Sequence, residues 1–191
     1  MTYFTEDFKA FFRELSKNNN SEWFAENRKR YESAVKKPFQ DFISEIINRC
    51  AKVDPAIKIT PADAIMRINK DIRFSKDKTP YNTYVAAVIS ATGKKDKSVP
   101  GLYIQISHDK VTLYGGAYIL DPVQLKKIRN AIAKNPKKFR ELYSEKDFQK
   151  LFGQVKGEQS KRLDAGYHSV AGTEPLIANK QFYFTAELNV S

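Results

Sequence analysis

Cysteine is nearly absent from this chain: Cys50 is the one thiol in 191 residues. No internal disulfide can staple the fold, and a reducing compartment is expected. Cys50 closes an apolar helical pattern, which reads as a buried structural thiol. Histidine is almost as scarce, with only His108 and His168. Two histidines and one cysteine supply no zinc or haem ligand spacing, so no metal site is expected. The glycine-rich dinucleotide loop, the Walker loop and the nucleophile elbow are missing as well. No apolar run approaches the roughly 18 residues of a membrane span, and the opening M-T-Y-F-T-E-D-F lacks the basic and apolar regions of a secretory signal. A soluble, cytoplasmic protein without a membrane partner is the expectation.

Cationic and aromatic side chains are abundant. Lysine and arginine total 33 against 22 aspartates and glutamates, a net charge of +11. That balance favours acidic partners, from phosphorylated metabolites to nucleic acid, although a solvated basic surface is the plainer explanation. Hydrophobic residues make up 41% and aromatics 13%, with 13 Phe and 10 Tyr. This is a globular composition, long enough for one domain over 1–191.

The apolar pattern divides the chain into elements. Phe8, Phe11, Phe12 and Leu15 recur at helical spacing behind Thr5, Glu6 and Asp7. A second helical pattern starts at Ser21 and runs to about Cys50; Pro38 predicts either two abutting helices or one kinked helix. Strands are predicted at Ala64–Ile68, Tyr84–Ile89, Leu102–Ile106, Val111–Tyr114 and Gln181–Leu188, with Tyr84–Ile89 apolar enough to be central. Gly93–Lys97 reads as an exposed turn, and Gly115–Gly116 as a bulge or close backbone approach. Asp121-Pro122 opens a helix with Leu125, Ile128 and Ile132 inward, and Pro136 opens another. Gln154–Gly172 reads as a long irregular connection. Helices, consecutive strands, helices and a last strand define an α+β fold: a mainly antiparallel sheet of about five strands, packed with N-terminal and C-terminal helices.

One stretch concentrates charge. M-R-I-N-K-D-I-R-F-S-K-D-K-T-P-Y-N-T-Y, from Met66 to Tyr84, sets Arg67, Lys70, Arg73, Lys76 and Lys78 against Asp71 and Asp77. Strand alternation would project Arg67 from the face opposite Met66 and Ile68. Guanidinium groups hold phosphate or carboxylate through paired hydrogen bonds, so Arg67 and Arg73, with Lys78, form a candidate anion clamp. The competing reading pairs Arg67 or Arg73 with Asp71 or Asp77 as an internal lattice. A second basic feature comprises Lys126, Lys127, Arg129, Lys134, Lys137, Lys138 and Arg140, seven cations read as solvent-facing. His108 falls in a hairpin turn, and His168 in the long connection.

The central stretch, R-x-x-x-D-x-R-F-S-x-D-K-x-P-Y, resembles the hallmark of the family catalogued as domain of unknown function 2461. N-N-N-S-E-W-F-A-E-N-R-K-R-Y, from Asn18 to Tyr31, is similar to that family's opening block, and G-E-x-x-K-R-x-x-x-G-Y, from Gly157 to Tyr167, to its third. The resemblance spans essentially the whole chain, with departures at Lys70, Asn82 and Asp164. It implies a mixed α/β fold and no established activity. By position it adds Trp23, Arg28, Tyr31, Tyr81, Lys161 and Tyr167 to the candidate ligand-binding residues.

Three functions compete. The first is a small-anion pocket clamped by Arg67, Arg73 and Lys78 and walled by Tyr81, Trp23 or Tyr167, where Asp71, Asp77, Glu158 or His168 would supply any acid or base. The second is a nucleic-acid-binding module using the 126–140 surface. The third is a structural or interaction domain whose cluster is a salt-bridge lattice. The residues specify neither a cofactor nor a reaction.

Overall fold

The N-terminal helix α1, Glu6–Lys17, forms where the Phe-rich stripe predicts it. Phe8, Phe11, Phe12 and Leu15 are each 1% exposed or less, so the whole stripe is core. The computed structural model describes residues 3–96 and 98–190; Lys97, last residue of the expected Gly93–Lys97 turn, lies outside the described residues. The chain, read above as one domain, forms two compact units. The first contains residues 1–96, 102–113 and 187–191; the second contains 97–101 and 114–186.

In the first unit α1 is followed by α2 (Ser21–Glu26) and α3 (Arg28–Arg30), a π-helical turn (Tyr31–Lys36) and α4 (Lys37–Val53). Arg30, Tyr31, Lys36 and Lys37 all hold right-handed helical angles, so the backbone runs on through Pro38. Proline lacks the N–H that would reach the Ala34 carbonyl and crowds that carbonyl with its ring. A wider turn just ahead of it makes room. The N-cap of α2 is Asn20, whose side chain accepts from the Trp23 N–H at 2.9 Å; Ser21, where the helical pattern starts, is the first helical residue.

Four strands follow the short helix α5 (Pro61–Ala64): β1 (Val85–Ile89), β2 (Gly101–Ile106), β3 (Lys110–Ala117) and β4 (Phe182–Asn189), in the antiparallel order β1-β2-β3-β4. Two expectations need correction. Ala64–Ile68 is not a strand: Ala64 ends α5, and only isolated bridges tie Ile65 to Ala87 and Asn69 to Tyr81. Between those bridges one side advances four residues and the other six, so two extra residues bulge near Thr83–Tyr84 and break the ladder. Pro80, which has no N–H to give, ends it. The alternation expected for Arg67 fails accordingly, since Met66 and Arg67 are both exposed while Ile68 is buried. Likewise β1 terminates the four-strand order instead of lying centrally. Its apolar sequence has a physical reason nonetheless: α4 and α5 pack on it, and the Met66 N–H to Ala86 carbonyl bond (2.8 Å) covers its edge.

The second unit holds the continuation of β3 and most of β4, with α6 (Pro122–Lys134), α7 (Pro136–Ser144), α8 (Lys146–Phe152) and α9 (His168–Ala171). Asp121 caps α6 in a reciprocal box with Gln124, as the Asp-Pro start predicts. The Gly115–Gly116 expectation resolves as a close approach. At Gly116, φ is +109°, and a side chain would collide with the Phe182 carbonyl. The connection 154–172 is less irregular than expected: it contains a 3-10 turn (Ala165–Tyr167) and α9, and it bridges Lys156 to Tyr183 and Gln159 to Asn179.

Candidate functional site

Three consecutive asparagines organise the approach to the charged stretch. Asn18 closes α1, its side chain donating to the Glu14 carbonyl at 3.0 Å. Asn20 caps α2. Asn19, between them, treats Tyr81 as a strand would: its side-chain amide donates to the Tyr81 carbonyl (2.9 Å) and accepts from the Tyr81 N–H (3.1 Å). Above this clamp the Tyr81 ring stacks on Phe24 at 4.0 Å and 16°. Trp23 and Tyr31 pack against the core with Phe11, and burial pushes the Tyr31 hydroxyl up to about 12. These rings are held by one another and by the core. Asn19→Ala, which deletes both clamp bonds, is expected to cost about 2 kcal/mol and to speed hydrogen exchange across 68–82. Asn19→Asp keeps the acceptor but sets an oxygen against the Tyr81 carbonyl, so denaturant unfolding should find it no better than alanine.

The loop that follows is internally paired. Arg73 grips Asp71 through Nε and Nη2, at 2.9 and 2.7 Å. Lys70 donates to Asp77 at 2.7 Å and to the Thr79 hydroxyl at 2.6 Å. Asp77 also accepts from the Thr79 N–H and hydroxyl, and Lys78 donates to the Ile72 carbonyl at 2.9 Å. The Lys70 ammonium holds Asp77 far below its ordinary value of 3.8; the Arg73 guanidinium lowers Asp71 in the same sense. Both carboxylates are therefore feeble proton acceptors. Arg67 is different. It is exposed, makes no hydrogen bond or ion pair among the described residues, and its positive charge reaches Asp71. Arg28 is likewise exposed and without a protein partner there.

The remaining candidates belong to the second unit. Tyr167 is buried and donates to Asn130 at 2.6 Å, so its hydroxyl is spent inside that unit. His168 is exposed, with Nε2 2.8 Å from the Leu163 carbonyl. Glu158 faces Lys180 at 3.6 Å, and Lys161 is exposed. A concavity of about 470 Å³ opens beside α4, lined by Tyr3, Lys37, Pro38, Asp41, Ser44, Glu45 and Asn48; none of the candidate residues lines it. Among the described residues, no three His, Cys, Asp or Glu side chains group to hold a metal, and no helix is long and apolar enough to cross a membrane.

The 126–140 surface also needs correction. Arg129, read as solvent-facing, is 8% exposed. Its guanidinium donates to the carbonyls of Ile177 (3.0 Å), Ala178 (3.2 Å) and Asn179 (3.2 Å) and to the Ser160 hydroxyl (2.6 Å). Arg140 pairs with Glu174 at 3.2 Å. Two of the seven cations thus bind the protein itself.

A family model described as Conserved hypothetical protein (DUF2461) matches residues 7–191. The chain belongs to this family. No curated protein and no solved structure matches it. Two of the DUF2461-like stretches, 18–31 and 67–81, are joined in the first unit by the Asn19–Tyr81 clamp and the Phe24–Tyr81 stack. Sequence reasoning passed over or misplaced several residues of consequence in this DUF2461 chain. Arg30 ties Asp7 (2.7 Å) to Glu14 (2.7 Å), Asn19 and the misplaced Arg129 hold backbone, and Glu174 is a buried charge. Of these, Arg129 carried a usable signal: it lies four residues after Leu125 and three before Ile132, hence on the inward face.

Proposed function

We propose that this protein binds an anionic group, phosphate or carboxylate, through Arg67 at the edge of the Asp71–Lys78 loop, with Arg73 as the second guanidinium. The observation that carries the reading is the asymmetry within the cluster. Lys70, Arg73 and Lys78 have partners in the loop, whereas Arg67 has no protein anion of its own among the described residues. Both partners of the Arg73–Asp71 pair are solvent-exposed, so water screens the pair and an incoming anion can compete for the guanidinium. Tyr81, Trp23 and Tyr31 support the loop from the core, which favours an open site over a ring-walled pocket. Asp71 and Asp77 are fixed as acceptors of cationic hydrogen bonds, which favours binding over acid–base catalysis at this place.

Titration with inorganic phosphate and with nucleotides, followed by amide chemical shifts, should move signals of 66–78 first. Arg67→Ala is expected to weaken that binding about tenfold, the scale of a lost charge-assisted contact, while its circular dichroism stays unchanged. Equal anion affinity in the folded variant would remove the proposal.

A further inference from the structure

The tip of the same loop carries a ring that the anion site does not use. Phe74 is 95% exposed. Every other phenylalanine of the first unit is buried in its core cluster or packed against it. A phenyl ring left in water beside cations is poorly explained by folding and well explained by a partner. The Arg73 guanidinium carbon lies 5.9 Å from the Phe74 centroid; Asp71 bonds Arg73 and feels the charge of Arg67. Ring and guanidinium groups are therefore linked neighbours, and Lys76, exposed and without a protein partner among the described residues, follows two positions on. The loop's two carboxylates are occupied by Arg73, Lys70 and Thr79.

We propose that this loop is a stacking platform for single-stranded nucleic acid. Phe74 takes the face of an unpaired base, and Arg67, Arg73 and Lys76 meet the flanking phosphates. The proposal rests on the anion site above and names its ligand class. Several features favour it over other anionic partners. A base offers the ring a flat face that an acidic peptide or a free phosphate lacks, and stacking tolerates any base. A membrane-inserting tip would carry further exposed apolar side chains, but the one other apolar residue of 71–78, Ile72, is half-buried. The ring stands on a loop, not on a helix or ribbon shaped for a groove, so it suits splayed bases better than a duplex. The net charge of +11 draws a polyanion to the surface.

Fluorescence anisotropy on the full chain with a labelled oligothymidylate of about 15 nucleotides, in roughly 50 mM salt, tests this beside the phosphate titration. The oligonucleotide should bind, with affinity falling steeply as salt rises. Phe74→Ala should weaken it about tenfold, Phe74→Trp should restore it, and both should leave phosphate affinity unchanged. Arg67→Ala should weaken both ligands. Unchanged oligonucleotide affinity in Phe74→Ala overturns the platform while leaving the anion site intact. Equal binding of a duplex of the same length, or a preference for phosphatidylserine vesicles, overturns it too. If neither phosphate nor oligonucleotide binds, the anion site and the platform fall together.

Discussion

Arg129→Met is expected to destabilise the second unit by about 4 kcal/mol, the larger of the two stability effects foreseen for that unit. Methionine retains the apolar stem, so the loss isolates the guanidinium. Arg129 reaches the last carbonyls of the 3-10 turn Pro175–Ala178 and the one beyond it, the groups that a helical end leaves without intrahelical donors. The Ala178 carbonyl keeps a second donor, the Ser160 N–H at 2.8 Å. Those of Ile177 and Asn179 depend on Arg129, and a buried acceptor without a donor costs about 1–3 kcal/mol. No buried side-chain polar atom among the described residues is now unpartnered, and the variant would also take the guanidinium away from the Ser160 hydroxyl. Arg129→Lys provides the decisive control. A surface role in binding nucleic acid needs only the charge and predicts full tolerance. The observed fork needs several directed donors, so lysine should also unfold at markedly lower denaturant.

Legibility in the sequence followed the kind of force involved. The Phe8/Phe11/Phe12/Leu15 stripe, the Asp121-Pro122 start and the strands around Val85, Ile104 and Phe182 were readable because apolar periodicity and capping are local. The Ala64–Ile68 segment was misread because its pairing depends on the partner side, where two bulged residues and Pro80 break the ladder. No window around Met66 contains that information. The charged cluster could be located from composition, but which cation is taken by which carboxylate depends on loop closure: Lys70 reaches Asp77, seven residues on, and Arg73 turns back to Asp71. The Asn18-Asn19-Asn20 run lies between two helices, and its middle member's hold on Tyr81, 62 residues away, is tertiary by nature.

The internal pairing of the central stretch is compatible with the ligand site proposed for it. Pairing within 70–79 fixes the loop's shape, the Asn19 clamp fixes its root, and the fixed loop presents Arg67 and Phe74 outward. The anion site proposed above, if held this way, would need little rearrangement to bind, which limits the ordering penalty.

Glu174→Ala is the second large effect expected, at about 3 kcal/mol, again in the second unit. The carboxylate is fully buried and accepts from the Tyr143 hydroxyl at 2.8 and 3.0 Å and from Arg140 Nε at 3.2 Å. Truncation removes a charge-assisted bond to each partner, strands the tyrosine hydroxyl and opens space in a packed region. Glu174→Gln retains the shape and one acceptor, so it should cost less than half as much by denaturant unfolding. Tyr143→Phe attacks the same bond from the other side, and a double-mutant cycle with Glu174→Gln should show coupling well above measurement error, since both changes act on one contact. Additive effects would mean that Glu174 is held chiefly by Arg140. In that case the fold leans on the Arg140–Glu174 pair, which already withholds Arg140 from the 126–140 surface and from any nucleic acid bound there.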